Sequence, residues 1–203
     1  PVVSFCMLRG KCATCRAPIP PWYVMTEVVG GLLGALVAAS SLSEPDVVVS
    51  VIIKGIFVGI VLAVALYDGV YQLIPMPVVY AGGVLALMAQ IFYIHASPFS
   101  VLIAILVAGI FFGGQYAISR GRWIGAGDIP LAILLALWLG WPGIGIAVWF
   151  AYVLGAGAGL AFIFFRKATR STALPLGTFL CVGALIALFW GENIRIWYGN
   201  LMR

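Results

Sequence analysis

Charge is what this chain has least of. Among its 203 residues there are 11 Lys or Arg, six Asp or Glu and a single His. A soluble domain carries roughly a quarter of its residues as charged side chains. Here the share is 8%, against 64% hydrophobic, and the mean hydropathy is +1.17, which excludes a water-soluble globular class. The lone His95 cannot supply the two-His motif of a membrane zinc protease. No Gly-x-Ser-x-Gly occurs, and no Ser stands near a His on the basic side of the chain, which argues against serine chemistry. There is no apolar/polar alternation of the kind that builds an outer-membrane barrel. The basic residues form small clusters with no continuous patch, so a nucleic-acid partner is not indicated. An initiator Met is also missing: the chain opens on Pro1, which reads as a fragment or a processed product.

What is present is a series of apolar runs long enough to span a bilayer. The fold class expected is all-α, a polytopic helical membrane protein with about seven transmembrane helices and a short N-terminal cytoplasmic Cys-containing segment. Spans are expected at 24–40, 47–66, 77–95, 99–119, 129–141, 143–165 and 179–190. The separators are rich in turn formers, as in "SLSEPD" (41–46), "DGVYQLIPMP" (68–77), "HASP" (95–98), "SRGRWIGAGD" (119–128) and "RKATRSTALP" (166–175). Two parts follow: 1–23, the Cys-containing segment, and 24–203, the transmembrane domain. Nearly every segment is a span, so none is read as a targeting peptide.

The basic clusters orient the chain. Arg9, Lys11 and Arg16 precede the first span, Arg120 and Arg122 follow the fourth, and Arg166, Lys167 and Arg170 follow the sixth. An even number of crossings separates them, so they share a side, which the positive-inside rule makes cytoplasmic. The net charge of +5 is explained by that rule without an acidic partner. The 129–141 run covers only about 20 Å, short of a core of about 30 Å, yet a complete crossing is expected because a re-entrant hairpin would put the last cluster outside. Lys54 lies close enough to the outer end of its span to snorkel.

Of the six acidic residues, Glu44, Asp46 and Glu192 fall at outer positions, leaving Glu27, Asp68 and Asp128. Asp68 closes the second span and Asp128 opens the fifth. Two crossings lie between them, so both return to the cytoplasmic face. Asp128, followed by Pro130, also fits a helix N-cap. Asp68 sits at a helix C-terminus, where the macrodipole disfavours an anion, although a solvated turn at Asp68-Gly69 is an alternative. Ionisable groups at membrane depth are functional candidates by default. Two converging carboxylates share a proton, because both cannot ionise cheaply at close range. The ionised member can take a proton from water while the protonated member polarises a peptide carbonyl. That is aspartyl protease chemistry, and it needs no metal or cofactor. The glycines of "GAGD" would let backbone approach the site closely.

These residues resemble the type IV prepilin peptidases, bacterial GxGD-type intramembrane aspartyl proteases. "YDGVYQLIP" (67–75) and "GAGD" (125–128) are similar to that family's active-site signature. The opening run carries its Leu-Arg-Gly-x-Cys pattern at Leu8-Arg9-Gly10-Lys11-Cys12, then Cys15, Pro18, Ile19, Tyr23 and Glu27. "ALPLGTFLCVGAL" (173–185) is similar to its Pro-Phe-Gly-Pro-Phe-Leu. The resemblance implies that Asp68 and Asp128 are the catalytic pair, with Tyr67, Gly125, Gly127, Pro175 and Gly177 around them. It implies prepilin or pseudopilin leader peptides as substrates, cut at the cytoplasmic face of the bacterial inner membrane. It also implies N-methylation of the new terminus with S-adenosylmethionine, a function to which Glu27 would belong unless it is structural.

Departures accompany the resemblance. Met76 follows "IP" where an acidic residue is frequent, Ile129-Pro130 follow the GxGD, and Leu176 and Thr178 stand where Phe and Pro are usual. The family's zinc-type site uses two Cys-x-x-Cys pairs, of which only Cys12 and Cys15 are present, half of a tetrahedral site. Cys181 reads as a buried small apolar residue. A disulfide is disfavoured in a reducing cytoplasm. Three alternatives remain: a presenilin or signal-peptide-peptidase type protease, which also uses Tyr-Asp and GxGD, a transporter in which the aspartates relay protons or bind a cation, and a catalytically idle membrane scaffold. The oligomeric state is not legible.

Overall fold

The computed structural model describes residues 2–166 and 175–202. Seven α-helices occur among them: α1 (Val2–Met7), α2 (Pro21–Ser41), α3 (Val47–Tyr71), α4 (Met76–Ala89), α5 (Pro98–Ser119), α6 (Asp128–Arg166) and α7 (Leu176–Leu201). A π-helical turn, Gln90–Ile94, extends α4. Among the described residues there is no strand, only a bridge between Lys11 and Pro18. Six helices are long and apolar enough to cross a membrane, so the expected all-α polytopic class holds. The last basic cluster lies outside the described residues except for the backbone of Arg166, which ends α6.

The breaks follow local chemistry. Pro21, Pro77 and Pro98 sit in the first turns of α2, α4 and α5, where a missing N–H costs nothing. Arg120 (φ 52°) and Gly121 (φ 74°) end α5 in the left-handed region. Gln72 (φ 53°) ends α3, so residues 68–71, expected in a loop, belong to the helix: nothing before Gln72 breaks it. α7 likewise runs on to Leu201, past the expected end at 190. There Glu192 and Arg195 pair one turn apart and satisfy each other within the helix.

Residues 2–55 form one compact unit and 56–202 another, with α3 contributing to both. In the first, buried Ser50 donates to Ser41 at 3.0 Å. Lys54 Nζ donates to Ser40 O at 3.0 Å and reaches Glu44 Oε1 at 3.4 Å. Its charge therefore ends on the α2–α3 loop, as snorkelling requires.

The second unit packs Phe57, Val61, Phe112, Leu131, Leu135, Ile144 and Leu180, all at most 1% exposed. Its periphery is equally apolar, with Phe92, Ile110 and Ile118 more than 70% exposed. An apolar exterior around an apolar core suits hydrocarbon as solvent. α6 is interrupted at Gly140 (φ 60°, ψ −171°) and Trp141 (φ −94°, ψ 136°), where Ser100 Oγ donates to Trp141 O (2.9 Å) and accepts from Trp141 N–H (3.0 Å). Contacts show that the helix doubles back there. Its first arm follows α4, with Trp138 Nε1 donating to Gly82 O (3.3 Å) and Gln90 Nε2 to Leu137 O (2.8 Å). Its second arm follows α5, with Tyr152 donating to Gln115 Oε1 at 2.9 Å. α4 and α5 are successive and joined by only three residues, so they run oppositely, and so do the two arms. Six helices thus make the seven passes expected.

Candidate active site

Asp68 and Asp128 are the buried acids of the second unit, 5% and 6% exposed. α3 delivers Asp68 in its last full turn. α6 delivers Asp128 as its first residue. Asp128 lies within electrostatic reach of Asp68. Ile74, in the loop between α3 and α4, touches both halves. Its Cδ1 lies 3.4 Å from where a Cβ on Gly177 would stand, and its Cβ 3.2 Å from one on Gly127.

Each carboxylate is held differently. Asp128 Oδ2 accepts from Gly125 N–H at 2.8 Å, while Asp128 N–H donates back to Gly125 O at 3.1 Å. The side chain thus turns backward to close the "GAGD" turn, not forward over the helix as an ordinary N-cap would. Pro130 removes one forward amide in any case. Asp68 Oδ2 accepts from Thr178 N–H at 2.7 Å and lies 3.0 Å from Thr178 Oγ1. Thr178 is the third residue of α7, so Asp68 meets the positive end of a helix dipole, which offsets its place at the C-terminus of α3.

The glycines divide in function. A Cβ on Gly127 would come within 2.8 Å of Met76 Cε, and one on Gly177 within 2.9 Å of Asp68 Oδ2; neither position takes a side chain unless those atoms shift. Gly125 has ordinary space around it and contributes its N–H. Pro175 precedes α7 in extended conformation (φ −70°, ψ 95°) and sets the entry that aims Thr178 N–H at Asp68. Tyr67 is exposed and packs at a tilt against Tyr71, ring centroids 4.7 Å apart; no contact brings it to the carboxylates. Thr178, Ile74 and Met76 belong to the site without having been assigned to it from sequence. In the sequence Thr178 is legible only as a departure from the family pattern. A Thr immediately before an apolar run, at the start of a helix, is the available signal. His95 lies exposed in the α4–α5 loop, left-handed at φ 47°.

The first unit holds the cysteine segment. Cys12 and Cys15 close a turn, and hydrogen bonds to the Cys12 sulfur from the backbone at Cys15, then Thr14, hold its thiol below the ordinary value. Among the described residues no cluster of three or more His, Cys, Asp or Glu side chains could hold a metal ion. Two thiols by themselves do not fit a tetrahedral zinc ion. Cys12, Tyr23 and Glu27 line a cleft of about 470 Å³ with Phe5, Leu8 and Ile19.

Residues 55–160 match the type IV leader peptidase family, and residues 1–41 the bacterial peptidase A24 N-terminal domain. The chain belongs to the type IV leader peptidase family. Its relatives include prepilin leader peptidase/N-methyltransferases. That of Stutzerimonas stutzeri is 29% identical over 208 residues, covering 100% of this chain and 70% of the relative. That of Aeromonas hydrophila is 26% identical and that of Pseudomonas aeruginosa 29%, each covering 98% of this chain and 68% of the relative. No solved structure matches. Membership accounts for the six apolar helices as those of a multi-pass inner-membrane protein. Neither the presenilin-type nor the transporter alternative is favoured by these matches.

Proposed function

We propose that the chain is a membrane aspartyl endopeptidase that removes the leader of prepilin or pseudopilin substrates, with Asp68 and Asp128 as its catalytic pair. The observation that carries the proposal is the convergence of these two buried carboxylates from the ends of α3 and α6. One carboxylate takes a proton from the attacking water as the other donates a hydrogen bond to the scissile carbonyl. The tetrahedral intermediate then collapses as the amide nitrogen receives a proton and leaves as the new N-terminus. The basic clusters of the sequence support a cytoplasmic position for the site, where a leader peptide meets water.

A second activity, N-methylation of the released terminus, is supported by the names of the relatives and by the cleft in the 1–41 region. S-adenosylmethionine bound there would supply the methyl group. Tyr23 offers an aromatic face for its adenine, and Glu27 a carboxylate for its ribose hydroxyls or ammonium. We assign 1–23 to this part of the chain and 24–203 to the transmembrane peptidase. Zinc at Cys12 and Cys15 would require further ligands.

The test is leader cleavage of a co-expressed prepilin panel in membranes by wild type, Asp68→Asn and Asp128→Asn. Loss of cleavage in both variants, each inserted at the wild-type level, is expected. Wild-type cleavage by either variant removes that aspartate from the reaction.

A further inference from the structure

Asp68 Oδ2 is within reach of two groups from one residue, and the two are chemically unlike. Thr178 N–H, at 2.7 Å, can only donate. Thr178 Oγ1, at 3.0 Å, can donate or accept, and it has a second neighbour: Ala65 O at 3.1 Å, one turn before Asp68 on α3. The hydroxyl has one proton for two acceptors. When Asp68 is ionised, the proton serves Oδ2. When Asp68 carries a proton, the hydroxyl can turn its own proton to Ala65 O and accept from the carboxyl with a lone pair. The carbonyl of Ala65 gives that proton a place to go, so no buried donor is left unmatched in either state.

We propose that Thr178 is the positioning residue of Asp68, its hydroxyl reorienting between Asp68 Oδ2 and Ala65 O as Asp68 exchanges its proton during turnover. The proposal rests on the two-aspartate reading above. A dyad member changes protonation state twice in each cycle. A partner that only donates would hold it in one state. The amide fixes where Oδ2 sits, and the hydroxyl keeps it there in both states. Gly177 completes the fit, since a Cβ at that position would stand 2.9 Å from the same oxygen.

The discriminating variants are Thr178→Val, which is nearly isosteric, keeps the amide and loses the hydroxyl, and Thr178→Ser, which keeps both donors. Leader cleavage is measured in membranes with inserted enzyme quantified, and kcat is separated from KM. The expected result is a kcat about 10- to 100-fold lower for Thr178→Val at unchanged KM, the range of one hydrogen bond to a charged group. Thr178→Ser should return kcat to within about threefold of wild type. A wild-type kcat for Thr178→Val overturns the proposal, as does equal impairment of the two variants. A lower thermal midpoint for Thr178→Val with kcat per inserted enzyme unchanged overturns it too, because the hydroxyl would then serve only as a cap on α3. Asp68→Asn is run alongside: cleavage by that variant would overturn the two-aspartate reading itself, which separates the two failures.

Discussion

Replacing Gly177 by Ala should damage the reaction without damaging the protein. A Cβ at 177 would stand 2.9 Å from Asp68 Oδ2 and 3.1 Å from its Cγ, whereas ordinary contact begins at 3.4 Å. The carboxylate must therefore retreat by about 0.5 Å. That lengthens the 2.7 Å bond from Thr178 N–H to about 3.2 Å, the outer edge of a hydrogen bond. A displacement of about 1 Å at a reacting group can cost about a hundredfold in rate. Half of that displacement, taken in proportion, makes the expected loss about tenfold in kcat. The fold should change little, because Gly177 lies in the first turn of α7, outside the helix interior where Ala is favoured over Gly by about 1 kcal/mol. Prepilin cleavage in membranes reads the first quantity, and thermal unfolding in detergent reads the second. Full cleavage activity at an unchanged midpoint would refute the reasoning, since Asp68 would not then be confined by the α7 backbone. Activity lost in step with folded protein would refute it equally.

Gly183→Ala should show the opposite pattern. A Cβ there would collide with Ala147 O and stand 3.0 Å from Ala147 C and 3.1 Å from Ala151 N. α7 and the second arm of α6 would have to separate, at a cost of about 1–3 kcal/mol, and the thermal midpoint should fall while kcat per folded enzyme holds. Cys12 should alkylate at lower pH in the folded protein than after denaturation, because hydrogen bonds to its sulfur favour the thiolate and the thiolate is the reactive form. Peptide mapping after iodoacetamide treatment across pH 6–9 checks the difference, and equal profiles would contradict it.

Much of the site was legible because its elements announce themselves locally. Asp68 and Asp128 stand out in a chain with six acids, and counting two spans between them is enough to return both to one face. The doubling back of α6 could be read from "LGWPG" and the parity of the basic clusters, although by length alone 128–164 is a single span. What could not be read was how each carboxylate is held. The bond from Thr178 to Asp68 joins residues 110 positions apart, and nothing in local pattern reports it. Glycine bulk was expected to matter at both positions of "GAGD", yet only Gly127 is sterically confined. The distinction depends on where Met76 and Ile74 land. Tyr67 neighbours Asp68 in sequence, but one helical step turns it to the outer surface.

The unequal arms of α6 carry a consequence for water. The first arm, 128–139, is about 18 Å long and the second, 142–166, about 37 Å. Hydrocarbon about 30 Å thick cannot match both. No residue of the shorter arm is exposed, and Leu131, Ala132, Leu135 and Ala136 are wholly covered by protein. The shortfall is therefore met inside the bundle and not against lipid. Asp128 begins that arm, so the access of water to it is set by the helices around it. Reconstituted in progressively longer-chain phosphatidylcholines, the protein should keep its cleavage rate until its outer helices are themselves mismatched.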